Sequence, residues 1–254
     1  MSSVYYSDDD VIIVNADCRE FLDTDLVNSH CVVTSPPYNA GIGYDVHDDA
    51  LSSAAFGELA EAASALMFRA IAEQDGRAWV VPGVENFSLW LSSLSEAGFG
   101  FANLVCWDYG APTRACSWGS WKSPAAPHLR YAWEPVVCGW ATSWRRVVPP
   151  GLEAWRDELG GWEQLCRNMW RINPGASATS EHPAVMPLEL AVRAIRLSTW
   201  PGEVVLDPFM GTGTTLLAAR LLGRRAIGIE ISERYCELAA ARLAQQVLGF
   251  QGAG

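Results

Sequence analysis

Apolar residues fall along this chain in short continuous runs separated by longer amphipathic stretches. The runs Val11–Val14, Cys31–Thr34, Ala78–Val81, Asn103–Trp107, Pro135–Cys138, Val204–Leu206 and Ala226–Ile229 span three to five residues each. That is the length and composition of strands buried on both faces. Between several of them, Phe56–Gln74, Leu188–Thr199, Thr214–Leu222 and Glu233–Leu248 carry apolar residues at helical spacing. Strands alternating with helices predict an α/β fold, a mostly parallel sheet with helices on both faces. The stretch from Gly139 to Ala178 breaks this rhythm. It holds Pro149-Pro150-Gly151 with several tryptophans and arginines, and reads as an insertion or small subdomain.

Composition narrows the class. Of 254 residues half are hydrophobic and 19% charged, enough apolar material for one large core. No apolar stretch reaches the roughly 18–20 residues of a membrane span. The first residues lack the basic-then-apolar order of a signal region, so a cytoplasmic location is expected. Seven cysteines, without a C-x-x-C pair, read as reduced thiols rather than a disulfide frame, and no metal site is expected. The net charge of −11 opposes a nucleic-acid partner on average. It is unevenly spread, however. Asp8, Asp9, Asp10, Asp17, Glu20, Asp23, Asp25, Asp45, Asp48 and Asp49 dominate the first sixty residues against a lone Arg19. Arg114, Lys122, Arg130, Arg145, Arg146, Arg156, Arg167 and Arg171 make the middle of the chain basic, and that is where DNA contact is expected.

Two local patterns carry chemistry. The first is Thr34-Ser35-Pro36-Pro37-Tyr38-Asn39, directly after the run Cys31-Val32-Val33. Two prolines cannot continue a central strand and force extended backbone before them. They make a rigid corner presenting a hydroxyl, carbonyls and an aromatic ring at a strand's C-terminal end, the edge where open α/β sheets bind ligands. A planar base bearing an exocyclic amine suits such a corner.

The second pattern runs from Val204 through Leu206-Asp207-Pro208-Phe209-Met210-Gly211-Thr212-Gly213-Thr214-Thr215, a strand, a tight glycine turn and a helix start. It lacks the Gly-Lys-Ser/Thr of a phosphate loop. Leu216 stands where a dinucleotide fingerprint has its third glycine. Glu230 ends the next strand, about 20 residues after the first glycine, the spacing of an acid that grips ribose hydroxyls. A nucleoside cofactor without a pyrophosphate fits, and S-adenosylmethionine is one.

Taken together, the two patterns resemble the amino-methyltransferases of DNA, which methylate cytosine N4 or adenine N6. Thr34 to Asn39 is similar to their catalytic motif. Asp207 to Thr215 with Gly223-Arg224-Arg225-Ala226-Ile227-Gly228-Ile229-Glu230 is similar to their cofactor motif. His182-Pro183-Ala184-Val185-Met186-Pro187-Leu188-Glu189-Leu190 and Trp118-Gly119-Ser120-Trp121-Lys122-Ser123-Pro124 through Glu134 also match. The catalytic motif comes first, which is the circularly permuted order of the beta group. The resemblance implies a Rossmann-like methyltransferase fold divided into a catalytic half (1–138), a short candidate target-recognition region (139–178) and a cofactor-binding half (179–254). Many relatives carry Lys where this chain has Met186.

The implied site follows from the motifs. Ser35, Pro36, Pro37 and Tyr38 are the expected catalytic residues; Asp17, Asp207, Phe209, Gly211, Gly213, Thr214 and Glu230 are expected to hold S-adenosylmethionine. Asp17 has two readings, an adenine contact or a helix N-cap before Arg19. Asn39, Arg114, Lys122, Arg130, Arg145 and Arg146 are the expected DNA contacts. Expected partners are double-stranded DNA and a cognate restriction nuclease, with a monomer or homodimer as the assembly. Ser rather than Asp before Pro36 points to cytosine N4 with a flipped base; N6-adenine methylation is the alternative. A glutamine-amide or RNA methyltransferase is disfavoured by motif order, and a non-catalytic DNA-binding protein on the same fold is a second alternative.

Overall fold

The computed structural model describes residues 3–21, 28–46, 49–110, 132–151, 162–173 and 185–251. Among the described residues nine strands form one sheet: β1 (Ser3–Ser7), β2 (Val11–Asn15), β3 (Cys31–Thr34), β4 (Arg77–Val80), β5 (Gly100–Asp108), β6 (Trp133–Trp140), β7 (Met169–Arg171), β8 (Val204–Asp207) and β9 (Arg225–Glu230). Their order is β1-β2-β9-β8-β3-β4-β6-β5-β7. β2, β9, β8, β3 and β4 are parallel neighbours. β6 runs against both β4 and β5, and β1 runs against β2. Because β5 and β7 again follow the direction of β4, seven of the nine strands end at one common edge.

The apolar runs become central strands because nothing in them needs water. All four residues of β3 and of β8 are buried. Helices close both faces. Against one lie α1 (Ser53–Ile71) and α2 (Phe87–Glu96), which pack Phe56, Leu59, Leu66, Met67, Trp90 and Leu94 on Val32, Val80 and Leu206. A one-turn helix, α3 (Trp162–Leu165), leads to β7. Against the other face lie α4 (Leu188–Ser198), α5 (Thr214–Leu221) and α6 (Glu233–Gln251), which bring Leu190, Ile195, Leu216, Ala239 and Leu243 to Val33, Val205 and Ala226. The Ser52 hydroxyl caps α1 by accepting from Ala55 N–H at 3.3 Å.

Connectivity places the site. β8 runs through α5 to β9 on one side, whereas the adjacent β3 runs through α1 to β4 on the other. The chain therefore diverges between β8 and β3, a topological switch point of the kind that opens a ligand crevice. The N-terminal β2 supplies the parallel neighbour of β9, in register from Val11↔Ala226 to Asn15↔Glu230, as the permuted order requires.

Residues 139–178 depart from the insertion reading at both ends. Gly139 and Trp140 complete β6, and Met169–Arg171 form the parallel edge strand β7 beside β5. Within β7 only Trp170 points inward, stacked on Trp79 with ring centroids 5.4 Å apart. One inward residue in three is too short a pattern to show in a sequence. β1 is equally hidden, since its Val4 and Tyr5 are exposed.

Candidate active site

The two chemical patterns meet at the switch point. β3 ends in Thr34 and β8 in Asp207, and the Thr34 hydroxyl donates to the Asp207 carboxylate at 2.7 Å. The same carboxylate oxygen accepts from Phe209 N–H at 3.1 Å, and the Thr215 hydroxyl donates to the Val33 carbonyl at 3.2 Å. These bonds lock the glycine loop to the Ser-Pro-Pro corner. Burial pushes Asp207 up to about 6, opposed by hydrogen bonds from Thr34 and Phe209 N–H.

The glycine loop needs its glycines for two reasons. Gly211 and Gly213 have φ of 50° and 77°, a left-handed backbone costly for other residues. A Cβ on Gly213 would also stand 3.0 Å from that of Ala239 on α6. Gly211 N–H donates to Glu230 at 2.9 Å, and Ser232 N–H donates to its other oxygen at 2.9 Å. Burial, above all, raises Glu230 to about 7.

These elements surround a cavity of ≈ 310 Å³, within the size range of small-molecule sites. Asp17, Asp207, Phe209, Gly211, Thr214 and Glu230 line it, with Ser35, Pro37 and Tyr38 at the corner. Of the expected residues here, Gly213 is turned toward α6 and Pro36 is buried. Asp17 reconciles its two readings: it borders the cavity and also accepts from Arg19 N–H at 2.9 Å as the cap of a short 3-10 turn. Met186 is in the wall as well.

At the corner, the half-buried Tyr38 is held from three sides. Its ring lies against Gly83, where a Cβ would come within 3.4 Å. Its carbonyl accepts from the Asn86 side-chain amide. Its phenol accepts from Ser35 Oγ at 3.4 Å and donates to Glu134 at 2.7 Å. Tyr109 donates to the other Glu134 oxygen. Sequence reasoning assigned no role to Glu134, Tyr109 or Gly83. The signals for Glu134 were its place at the end of the family-like stretch from Trp118 and its being a lone acid in the apolar strand Trp133–Trp140.

The expected DNA contacts separate. Arg114, Lys122 and Arg130 lie outside the described residues. Arg146 lies at the far edge of the sheet, where its guanidinium pairs with Glu203 at 2.6 Å, donates to the Ser198 and Gln74 carbonyls and stacks 4.7 Å from the Trp200 ring. Glu203 and Gln74 precede β8 and β4, so that edge holds the strands' N-terminal ends. Arg145 follows the same course and is exposed there. Asn39 is occupied in the loop itself: its amide donates to Leu51 O at 3.1 Å and accepts from Leu51 N–H at 2.7 Å. Polar side-chain type foretold none of these placements, because carbonyls and carboxylates within the fold claim the same donors.

Sequence comparison decides the family. A family model described as DNA methylase, covering the N6 and N4 enzymes, matches residues 29–241. The chain belongs to this family. The methylase is 29% identical to the type II methyltransferase M.ScaI of Streptomyces caespitosus, over 94% of its own length and 83% of that protein's. It is 40% identical to the orphan methyltransferase M.BamHII of Bacillus amyloliquefaciens over 87 residues, about a third of each chain. Among solved structures, TTHA0409 of Thermus thermophilus, a candidate DNA modification methylase complexed with S-adenosyl-L-methionine, superposes with a TM-score of 0.69 at 28% identity, over 91% of this chain and 94% of that one. The PvuII DNA methyltransferase (cytosine-N4-specific) has a TM-score of 0.70 at 21% identity, covering 94% and 88%, and shows the shared fold.

The cavity fits S-adenosylmethionine. Glu230 ends β9 with its carboxylate in the wall, where ribose hydroxyls can reach it, and Tyr44, Phe209 and Tyr235 provide aromatic surface. Among the described residues the wall holds no lysine. Asp17 is paired with Arg19, which shares the wall, and Asp207 and Glu230 leave the balance acidic, as suits a sulfonium cation. The methylase is an S-adenosylmethionine-dependent DNA methyltransferase.

Proposed function

We propose that this methylase transfers the methyl group to the N4 amine of cytosine in double-stranded DNA. The observation that carries the choice of base is Ser35. The corner presents a hydroxyl, not a carboxylate, at the mouth of the cavity. PvuII methyltransferase, named as cytosine-N4-specific, shares the fold.

Bound S-adenosylmethionine supplies an activated methyl group. The chain's own residues do the rest. Glu230 would accept from the ribose hydroxyls, Asp17 would border the adenine, and Gly211 and Thr214 would seat the methionine end. An exocyclic amine is a poor nucleophile because its lone pair is delocalised into the ring. Ser35 Oγ and the Pro36 carbonyl accept from the amine and favour tetrahedral geometry as positive charge develops. The base must leave the helix to reach them, at a cost of a few kcal/mol. Tyr38, braced on Gly83 and Glu134, offsets roughly 1–3 kcal/mol of that by stacking. Arg114, Lys122 and Arg130 are the proposed DNA contacts: Tyr109 N–H bonds to Ala132 O at 3.0 Å, so the residues flanking their segment stand at the catalytic edge.

Incubation with DNA and labelled cofactor, then digestion to nucleosides, tests the proposal. N4-methylcytosine is expected. N6-methyladenine alone would overturn the base assignment, and label on protein but not DNA would overturn both.

A further inference from the structure

Behind the catalytic corner, outside the cavity wall, lies a half-buried acid with no part in cofactor binding. Glu134 projects from β6, and two phenols converge on it: Tyr38 from the corner after β3, and Tyr109 from the end of β5. The hydrogen bonds run in one direction. Ser35 Oγ donates to Tyr38 Oη at 3.4 Å, and Tyr38 Oη donates to Glu134 Oε2 at 2.7 Å. A chain of this polarity leaves the Ser35 lone pairs facing the cavity, free to accept from a substrate N–H.

We propose that Glu134 is a positioning residue of the reaction, fixing the Tyr38 ring and taking up the proton that methylation releases, through Tyr38 and Ser35. The inference rests on the amine-methylation function proposed above. In the step, the exocyclic nitrogen bonds to the methyl carbon as the carbon–sulfur bond breaks and its electron pair returns to sulfur. The nitrogen, now cationic, gives a proton to Ser35 Oγ. Ser35 gives its own proton to Tyr38 Oη, and Tyr38 gives its own to Glu134. The carboxylate ends as a carboxylic acid and recovers when its proton passes to solvent.

Burial supports this role by raising the Glu134 pKa, while hydrogen bonds from Tyr109 and Tyr38 oppose the rise. Tyr38 is held well above the usual phenol range by burial and by the Glu134 charge. Phenolate is thus not a resting state, and the phenol serves as a conduit. Among the described residues, the titratable groups hydrogen-bonded to Glu134 are these two tyrosines, Tyr38 from the corner after β3 and Tyr109 from the end of β5.

Glu134→Gln keeps the shape and removes the proton acceptor. Its kcat should fall roughly 100-fold, the low end of acid–base contributions. KM for DNA and the calorimetric cofactor Kd should stay within about twofold. The acidic limb of kcat against pH should vanish, and Glu134→Asp should restore part of the rate. In Tyr109→Phe, loss of one donor should move that limb to higher pH. An unchanged kcat and limb in Glu134→Gln would overturn the proposal. So would cofactor affinity falling in step with kcat, which marks a structural role. If Glu134→Gln does not fold, an unmoved limb in Tyr109→Phe overturns it equally. Alkaline absorbance titration reads the coupling without turnover: the phenol that Tyr38→Phe removes should ionise at lower pH in Glu134→Gln than in wild type. No difference would sink the coupling. If wild type methylates no DNA, the proposed reaction is wrong, and this titration alone decides whether Glu134 governs Tyr38.

Discussion

The two edges of the sheet use the same charged residue types to opposite ends. At the edge away from the cavity, where β4 and β8 begin and β6 ends, buried charges are closed by partners within the fold. Arg146 pairs with Glu203 and both are 11% exposed. Arg224 donates to Thr199 Oγ1, the Thr199 carbonyl and the Leu222 carbonyl. At the catalytic edge the buried Asp207 and half-buried Glu230 accept from the Thr34 hydroxyl and from backbone N–H, and both border an open cavity. One edge has satisfied its polar groups internally; the other holds acids whose pKa is raised by burial and which a cation and hydroxyls from outside would suit. Buried acids facing a cavity are a better guide to function than the count of arginines.

The sharpest break in this comparison comes from Ser35. Ser35→Ala should cut methyl transfer at least 100-fold while the fold and cofactor affinity persist, because only the acceptor for the amine is removed. Product nucleoside and calorimetric Kd, measured on one sample, check this. Tyr38→Ala should lower the rate strongly too, with weaker DNA binding from lost stacking.

At the far edge the expected loss is stability. Glu203→Ala leaves Arg146 buried and without its carboxylate, which costs about 3 kcal/mol or more. For a chain of this size that is a drop of roughly 6–12 °C in Tm. Methyl transfer at a permissive temperature should be unchanged. Thermal unfolding followed by circular dichroism distinguishes the two edges directly. A stable variant with impaired activity would mean that the far edge reaches the site after all.

Much of the sheet was legible because its central strands are apolar throughout and flanked by turn residues. Glycine and proline made the loops legible, since few other residues form those turns. What stayed hidden depends on partners distant in sequence. Whether Arg146 meets DNA or Glu203, and whether Glu134 is a surface acid or the brace of Tyr38, is decided by which strands become neighbours. Short edge strands such as Met169–Arg171 bury one side chain and show no period at all. Residue type alone did not sort the tryptophans either: Trp79, Trp90, Trp107 and Trp170 are core, whereas Trp133 and Trp144 are exposed.

The raised carboxyl of Glu230 makes cofactor binding pH-dependent, with a defined sign. Without cofactor it is held up to about 7 from an ordinary 4.5. Ribose hydroxyls donate to the charged form and lower it, so binding expels a proton. Affinity should therefore rise with pH by about tenfold between pH 6 and pH 8, and level off above. Calorimetry in buffers of different ionisation enthalpy would show the released proton. Glu230→Gln should bind weakly and without this slope. The same shift makes the cofactor-free protein lose stability as pH rises from about 4.5 toward 7, because the folded state holds the proton longer.

The smallest expected effect probes the one apolar departure in the cofactor wall. Met186 lines the cavity without a charge, so the methionine carboxylate of the cofactor would rely on wall donors such as Thr212 and Thr214, with Arg242 bonded behind them. Met186→Lys should place an ammonium there and tighten cofactor binding by about 1 kcal/mol, roughly fivefold. The gain should shrink at high salt, since the site opens to solvent and the new contact is screened. The acidic wall works against it, because Asp207 and Glu230 also attract the ammonium. Unchanged or weaker binding would mean that these acids capture the lysine, and that the wall is tuned to the sulfonium rather than to the carboxylate.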